Sequence, residues 1–225
     1  MIVVLTGAGI SAESGLKTFR DSGGLWEGHR VEDVASPEGF RRNPELVQTF
    51  YNLRRRQLQE IEPNLAHFAL AKLEQREKDF LLITQNVDDL HQRAGSKKIL
   101  PMHGELKKAR CLDSGKIFSW ERDLDKNTPH PEHPERKGRL RPHICWFGEV
   151  PFFMNEIEEA LQRAKIFISI GTSGQVYPAA NFVNSVPSNC RTVLLNKEEI
   201  GGSASFGEVI LGPATIVVPR FLETI

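Results

Sequence analysis

Five short runs of β-branched, aliphatic and aromatic residues punctuate the chain, at positions 2–6, 80–84, 144–147, 166–170 and 192–195. They are continuously apolar, the pattern of strands buried on both faces of a parallel sheet. Between them, residues 44–61, 64–75 and 155–164 carry helical spacing, and Pro63-Asn64 is a start signal for the second. The alternation predicts an α/β fold with a Rossmann-like, mostly parallel sheet. One stretch breaks the pattern: residues 105–142 are charged and proline-bearing, and KNTPHPEHPERKGRLRP (126–142) offers no core segment. It predicts an inserted excursion or long loop. Strand-forming runs lie on both sides of it, so one discontinuous domain over residues 1–225 is expected. Its Rossmann-like part covers approximately 1–30, 63–104 and 143–225, with smaller inserted parts at approximately 31–62 and 105–142. No internal repeat is present.

Composition narrows the function classes. The 225 residues carry 29 Lys+Arg against 29 Asp+Glu, so no global field draws the protein to nucleic acid or an anionic membrane. No apolar run reaches the roughly 18–20 residues a bilayer span requires, and Met1 leads straight into Ile2-Val3-Val4-Leu5 without a basic leader segment. A cytoplasmic protein with no nucleic-acid or membrane partner, and a monomer, is expected. Three widely spaced cysteines, Cys111, Cys145 and Cys190, do not make a disulfide framework.

The strongest local signal is Ile2-Val3-Val4-Leu5-Thr6-Gly7-Ala8-Gly9-Ile10-Ser11-Ala12, a buried strand entering a G-x-G-x-x-A turn. In a dinucleotide site Gly7 allows the tight turn, Gly9 lets backbone approach a pyrophosphate, and Ala12 lets the next helix pack closely. The same letters also suit a plain strand-to-helix turn. An acidic residue ending a second strand about 20 positions on would complete a hydride-transfer site. Here the irregular Ser22-Gly23-Gly24-Leu25-Trp26 precedes Glu32 and Asp33, which disfavours an ordinary dehydrogenase.

Further blocks add specificity. Gly7 through Gly15, then Thr18-Phe19-Arg20 and Gly24-Leu25-Trp26, resemble the nucleotide loop of the sirtuins, the NAD-dependent protein lysine deacylases. Thr84-Gln85-Asn86-Val87-Asp88-Asp89-Leu90-His91, Met102-His103-Gly104-Glu105, Phe147-Gly148-Glu149 and Gly171-Thr172-Ser173 follow in the family order. Tyr51-Asn52-Leu53-Arg54 narrows the resemblance to the class that contains many bacterial deacylases and the mitochondrial desuccinylase type. Tyr51 and Arg54 stand at i and i+3 of a predicted helix, so both project from one face, and a guanidinium with a phenol suits a carboxylate ending an acyl chain. Arg55 and Arg56 are expected on a solvated face.

The resemblance implies a reaction that consumes NAD. The acyl-lysine carbonyl oxygen attacks the ribose carbon bearing nicotinamide, giving an alkylimidate; attack by a ribose hydroxyl and water then releases lysine, nicotinamide and O-acyl-ADP-ribose. The implied base is His103, whose side-chain type titrates near neutral pH. Asn86 and Asp88 are the other implied catalytic residues, in the pocket where the glycosidic bond breaks. Cofactor contacts are expected from Gly7, Ala8, Gly9, Ser11, Glu13, Phe19, Arg20, Trp26, Gln85, Asn86, Val87 and Asp88, with Phe19 and Arg20 closing over NAD. Gly171, Thr172, Ser173, Asn196, Lys197, Glu198 and Ala214 would complete the nucleotide site. Tyr51 and Arg54 would receive the acyl group. Phe147, Gly148, Glu149 and Val176 would flank an acylated-lysine protein substrate, inserted as an added strand.

Where sirtuins carry two cysteine pairs, this chain has Cys111, then Ser114, and no cysteine in 126–142. A four-thiolate zinc site is not readable. His130 and His133 are the remaining donors there, and Cys145 falls in a predicted buried strand, so no metal ligands are assigned. The expected function is an NAD-dependent deacylase removing succinyl, malonyl-type and acetyl groups. The alternatives are an NAD or ADP-ribose-binding module and a mono-ADP-ribosyltransferase.

Overall fold

The computed structural model describes residues 1–16 and 25–225. Its strands are β1 (Ile2–Thr6), β2 (Leu25–Trp26), β3 (His29–Arg30), β4 (Phe80–Thr84), β5 (Ile99–Pro101), β6 (Gly104–Cys111), β7 (Ile117–Ser119), β8 (Leu140–Ile144), β9 (Ile166–Ile170), β10 (Arg191–Asn196) and β11 (Glu208–Leu211). Its α-helices are α1 (Val31–Val34), α2 (Pro37–Arg42), α3 (Pro44–Gln57), α4 (Leu65–Arg76), α5 (Leu90–Arg93), α6 (Met154–Gln162) and α7 (Ala214–Leu222). None is long and apolar enough to cross a membrane, among the described residues.

Six parallel strands form the main sheet in the order β11-β10-β9-β1-β4-β5. Alternate residues explain how it is buried on both sides. Val4, Leu82, Ile168, Val193 and Leu195 face α4 and α7, while Val3, Leu5, Ile83 and Phe167 face α6. The strand order reverses between β1 and β9, and the crevice beyond the carboxyl ends at such a switch point is where ligands bind in open α/β sheets. After β1, however, the chain makes two 3₁₀ turns, Ala8–Ile10 and Ala12–Ser14, where the sequence pattern suggests a regular helix.

Helices α1, α2 and α3 build a second apolar cluster with Leu90, Leu106, Ile144 and Trp146. Capping defines two of them: Ser36 Oγ accepts from Gly39 N–H, and Asn43 Oδ1 from Leu46 N–H. The charged stretch at 105–142 is not a free loop. Strands β7, β6 and β8 form an antiparallel sheet, and Ala109, Cys111, Trp120, Leu124 and Leu140 pack behind it. The strand expected at 144–147 is displaced to Leu140–Ile144, every residue of it buried, and Cys145 follows it, partly exposed. Arg141 and His143 inside β8 conceal it from a hydrophobicity pattern; Arg141 is buried because Glu149 pairs with it. Arg55 also corrects the expectation of a solvated face. It lies one turn after Tyr51, is fully buried, and donates from Nε to Leu106 O (2.8 Å) and from Nη1 to Asn52 Oδ1 (2.9 Å). Arg56 is exposed and pairs with Asp123.

Candidate active site

The turns after β1 and β9 meet at the switch point, and the fit explains their glycines. A Cβ on Gly9 would stand 2.7 Å from Gly171 Cα, and one on Gly171, at φ +61°, 2.5 Å from Ile10 N. Gly7 is extended (φ −125°, ψ −175°), a conformation open to any residue, but a Cβ there would meet Gly171 O at 2.8 Å. Close approach of two backbones, more than turn-making, therefore requires glycine. Gly9 N–H donates to Gly171 O (2.8 Å), locking the turns together. A third turn joins them through Asn196, whose Nδ2 donates to Thr172 O (3.2 Å) and Glu198 O (2.9 Å). Thr172 Oγ1 is bonded to Ser169 Oγ (3.1 Å) and Ser173 Oγ accepts from Gln175 N–H (3.3 Å). Glu13 reaches away to the start of α7, accepting from Thr215 N–H and hydroxyl beside Ala214. Lys197 and Glu198 are exposed; Ala8 is partly exposed at the mouth. Phe19 and Arg20 lie outside the described residues.

Behind the crevice is a buried polar network that fixes its own hydrogen directions. Asn64, the N-cap of α4, donates its N–H to His67 Nδ1 (3.2 Å), so the His67 proton resides on Nε2, facing Ser11 Oγ at 3.4 Å. Ser11 Oγ also accepts from Asn86 Nδ2 (3.1 Å) and donates to Asp88 Oδ2 (3.0 Å), while Asp88 Oδ1 accepts from Leu90 N–H (3.1 Å). Ser11, Asn86 and Asp88 are thus brought together, and the Asn86 side-chain oxygen keeps no partner among the described residues. Val87 holds the turn from behind, its carbonyl accepting from Leu106 N–H (2.8 Å). His67, and His91 edge-on to it at 4.8 Å, join this network; sequence reading missed His67 and took His91 only as the end of the block that begins at Thr84. The available signal was a histidine on the apolar stripe of α4, a position that suits plain packing equally well.

Burial pushes the Asp88 carboxyl up to about 6 against the lowering effect of its Leu90 and Ser11 hydrogen bonds, and pulls His67 down to about 4. Burial likewise holds His91 well below the ordinary imidazole value and brings His143 to about 4. A depressed histidine contributes stability that is present above pH 6.5 and lost as pH falls toward its folded value; a raised carboxyl acts oppositely, adding stability as pH falls from about 6 to 4. Asp88 and His67 nearly cancel in that window, which leaves His91 and His143 to set the sign. The thermal midpoint is expected to drop on the order of 5–10 °C between pH 6.5 and 4.5. A scanning-calorimetry series that is flat or rising toward acid would contradict neutral burial of these rings.

His103 sits between β5 and β6. Its Nδ1 donates to Gln85 O (2.9 Å), which leaves Nε2 as the basic nitrogen. Burial lowers its pKa, partly offset by that hydrogen bond, so the ring is neutral at pH 7. Gly104 must follow it: at φ +84°, a Cβ there would lie 2.1 Å from His143 O. The Gln85 carbonyl therefore orients the base, and the same turn presents Asn86 and Asp88.

At the other end, Tyr51 is fully buried and accepts from Trp146 Nε1 (3.1 Å). Arg54 stacks on Phe50 (3.4 Å to the ring centroid), and its Nη1 donates to Phe50 O (2.7 Å). Its Nε is buried without a partner among the described residues. Desolvation lowers the guanidinium to about 10, against the raising influence of Glu27, so it stays charged. Trp26 joins this cluster edge-on to Phe50 at 4.9 Å and Tyr51 at 6.2 Å. Phe147 and Gly148 form an exposed turn closed by Glu149 N–H to Trp146 O (2.9 Å), with Gly148 at φ +89°. Val150 and Tyr177 are exposed, and Val176 lies on the second loop expected to flank a peptide.

The residues at the small sheet do not fit a zinc ion. Cys111 hydrogen-bonds Ser114 and His130, and His130 Nδ1 accepts from Glu132 N–H (3.2 Å), so its Nε2 carries a proton and is a donor, not a ligand. Asp113 is taken by Arg136 (2.8 Å) and Arg139. No group of three or more His, Cys, Asp or Glu side chains is arranged to hold a metal, among the described residues.

Comparison with known proteins adds an independent line. The model of the Sir2 family matches residues 7–178. A protein of Rhodopirellula baltica named NAD-dependent protein deacylase is 53% identical over 99% of this chain and 97% of its own length. Among solved structures, a Sir2 homologue in complex with NAD superposes with a TM-score of 0.88 at 36% identity, over 99% of this chain and 88% of that one. A Sir2 bound to an acetylated peptide superposes with a TM-score of 0.81 at 30% identity, over 100% of this chain and 92% of that one.

Proposed function

The chain belongs to the Sir2 family and is an NAD-dependent protein deacylase acting on acylated proteins, and on that premise we propose that it removes succinyl and malonyl-type groups from lysine as well as acetyl. The observation that carries this reading is the buried, unpartnered Arg54 Nε beside Tyr51. A buried guanidinium donor without an acceptor is costly, and a carboxylate ending an acyl chain supplies what it lacks. The test is a mass-spectrometric assay of one lysine peptide, acetylated or succinylated, with and without NAD. NAD-dependent loss of both groups is expected; an enzyme that removes acetyl and leaves succinyl untouched contradicts the proposal.

NAD supplies the electrophilic ribose carbon and the nicotinamide leaving group. The crevice suits its binding, since Gly7, Gly9 and Gly171 present bare backbone where a pyrophosphate would lie. Asn86 and Asp88 would hold the nicotinamide end, Asn86 through its uncommitted side-chain oxygen. Ser11 and His67 keep that pair in place. His103 would take a ribose-hydroxyl proton at Nε2, and the tautomer imposed by Gln85 supports catalysis over mere binding of ADP-ribose. Phe147, Gly148, Glu149 and Val176 would hold the peptide through backbone, since the Glu149 carboxylate is engaged by Arg141.

We further propose that this deacylase works without zinc, its two small-sheet turns joined by Asp113 with Arg136 and Arg139 and by Lys116 with Glu132. Treatment with a strong chelator is expected to shift the thermal midpoint by less than about 1 °C, a change of well under 1 kcal/mol for a chain of this size. Stoichiometric zinc in the purified protein, with loss of several degrees on chelation, would reverse this.

A further inference from the structure

We infer that Trp146, braced by the Arg141 and Glu149 pair, is a specificity-positioning residue that fixes Tyr51 as a hydrogen-bond donor toward the acyl group. The inference rests on the reading of Tyr51 and Arg54 as the acyl receptor and extends it to side chains that do not reach the acyl group.

A phenol has one hydrogen to give and two lone pairs to offer. In the Tyr51 hydroxyl one lone pair is already taken by the indole N–H of Trp146 at 3.1 Å. The hydroxyl hydrogen has no acceptor among the described residues. Burial holds the phenol far above its ordinary pKa, outweighing the lowering effects of Trp146, Arg141 and Arg54, so it does not ionise. A buried, permanently protonated phenol whose oxygen already accepts is confined to the donor role. Arg54 Nε beside it is likewise a donor in want of an acceptor. Two such donors select an anionic acceptor over a methyl group.

Three contacts hold Trp146 in place to do this. The Arg141 guanidinium lies over its ring at 3.3 Å from the centroid, its backbone N–H donates to Glu149 Oε2 (2.8 Å), and Phe40 packs at 5.2 Å. The first two are one unit, because Arg141 grips Glu149 with Nη1 on Oε1 (2.7 Å) and Nη2 on Oε2 (3.0 Å) and also donates to Ile144 O (2.7 Å). Arg110 adds a contact to Glu149 at 3.3 Å. These partners keep Glu149 ionised in the face of desolvation that would raise its pKa. Glu149 also closes the exposed turn through Phe147 and Gly148 by its N–H to Trp146 O. One residue thus fixes both the indole that aims Tyr51 and the loop expected to hold the peptide.

The experiment measures kcat/KM on one peptide in succinylated and acetylated forms and reads their ratio. Two variants remove the donor: Trp146→Phe, and 3-benzothienylalanine at position 146, which replaces the indole N–H by sulfur and preserves ring size if phenylalanine loosens the fold. The succinyl-to-acetyl ratio is expected to fall about fivefold in both, and to change no further when either is combined with Tyr51→Phe. Equal loss on the two substrates, or a ratio effect that persists in the Tyr51→Phe background, overturns the positioning role. Failure of the parent reading is separately visible, because Tyr51→Phe and Arg54→Met would then leave the ratio at its wild-type value.

Discussion

Replacing His103 by alanine is expected to lower kcat for deacylation by about 10²–10⁴-fold on acetylated and succinylated peptides alike, with KM for NAD changed little. The reason lies in proton placement. Gln85 O takes the Nδ1 proton, so the only basic nitrogen of the ring is Nε2, and burial keeps the ring neutral. A neighbouring side chain has no means of replacing it: Asp88 is bound at both oxygens, and His67 and His91 are buried in the network behind the crevice. The wild-type kcat/KM profile should remain flat down to about pH 6.5 and fall below it, as the Asp88 carboxyl, raised to about 6, becomes protonated. Product formation followed by mass spectrometry checks both points. A His103→Ala enzyme that retains a tenth of its activity would remove His103 from the base role.

Arg54→Met is expected to divide the two substrates. The change deletes one charge-assisted contact to an acyl carboxylate, worth about 1.5–3 kcal/mol, which is roughly a 10- to 150-fold fall in kcat/KM for a succinylated peptide. Deacetylation should change by less than about threefold, because a methyl group gives the guanidinium nothing to bind. Methionine keeps an unbranched, apolar stem against Phe50, where the guanidinium now stacks, so the helix loses little packing. Steady-state kinetics on the paired peptides distinguish this from a general defect. Equal losses would show that Arg54 supports the helix and does not read the acyl end.

Much of this site was legible because its chemistry sits at the carboxyl ends of strands that are themselves plain in the sequence. Gly7 and Gly9 after β1, Asn86 and Asp88 after β4, Gly171 after β9 and Asn196 at the end of β10 all follow apolar runs, and the fold brings them to one edge. The role of the glycines was less legible: their motif points to a phosphate, whereas their Cβ positions are filled by each other's backbone. Buried charge was least legible. Arg55 and Arg141 are charged residues in a pattern that marks charge as surface, and the partners that make their burial tolerable, Leu106 O and Asn52 for Arg55 and Glu149 and Ile144 O for Arg141, are brought to them only by the folded backbone. The small sheet escaped notice for the same reason, since β6 sets Lys107, Lys108 and Arg110 among its buried positions and breaks the two-residue alternation between Leu106 and Ala109. Helix α7 and strand β11 drew no attention although α7 is strongly apolar on one face.

The central strand also imposes an order on the birth of the molecule. β1 is synthesised before either of its neighbours, β4 and β9, so Ile2 waits for Phe80 and then for Ile166 before both its edges are covered. During translation an almost wholly aliphatic segment stands with unpaired backbone, the condition that invites association with other chains or capture by a chaperone. The nucleotide crevice, made where Gly9 meets Gly171, exists only once the turn after β9 has emerged. A nascent deacylase is therefore silent until β9 and the turn after it have been made. A chain truncated between β6 and β9 would carry Gly7, Gly9 and the His103 base, and still lack the Gly171 turn against which the nucleotide crevice is built.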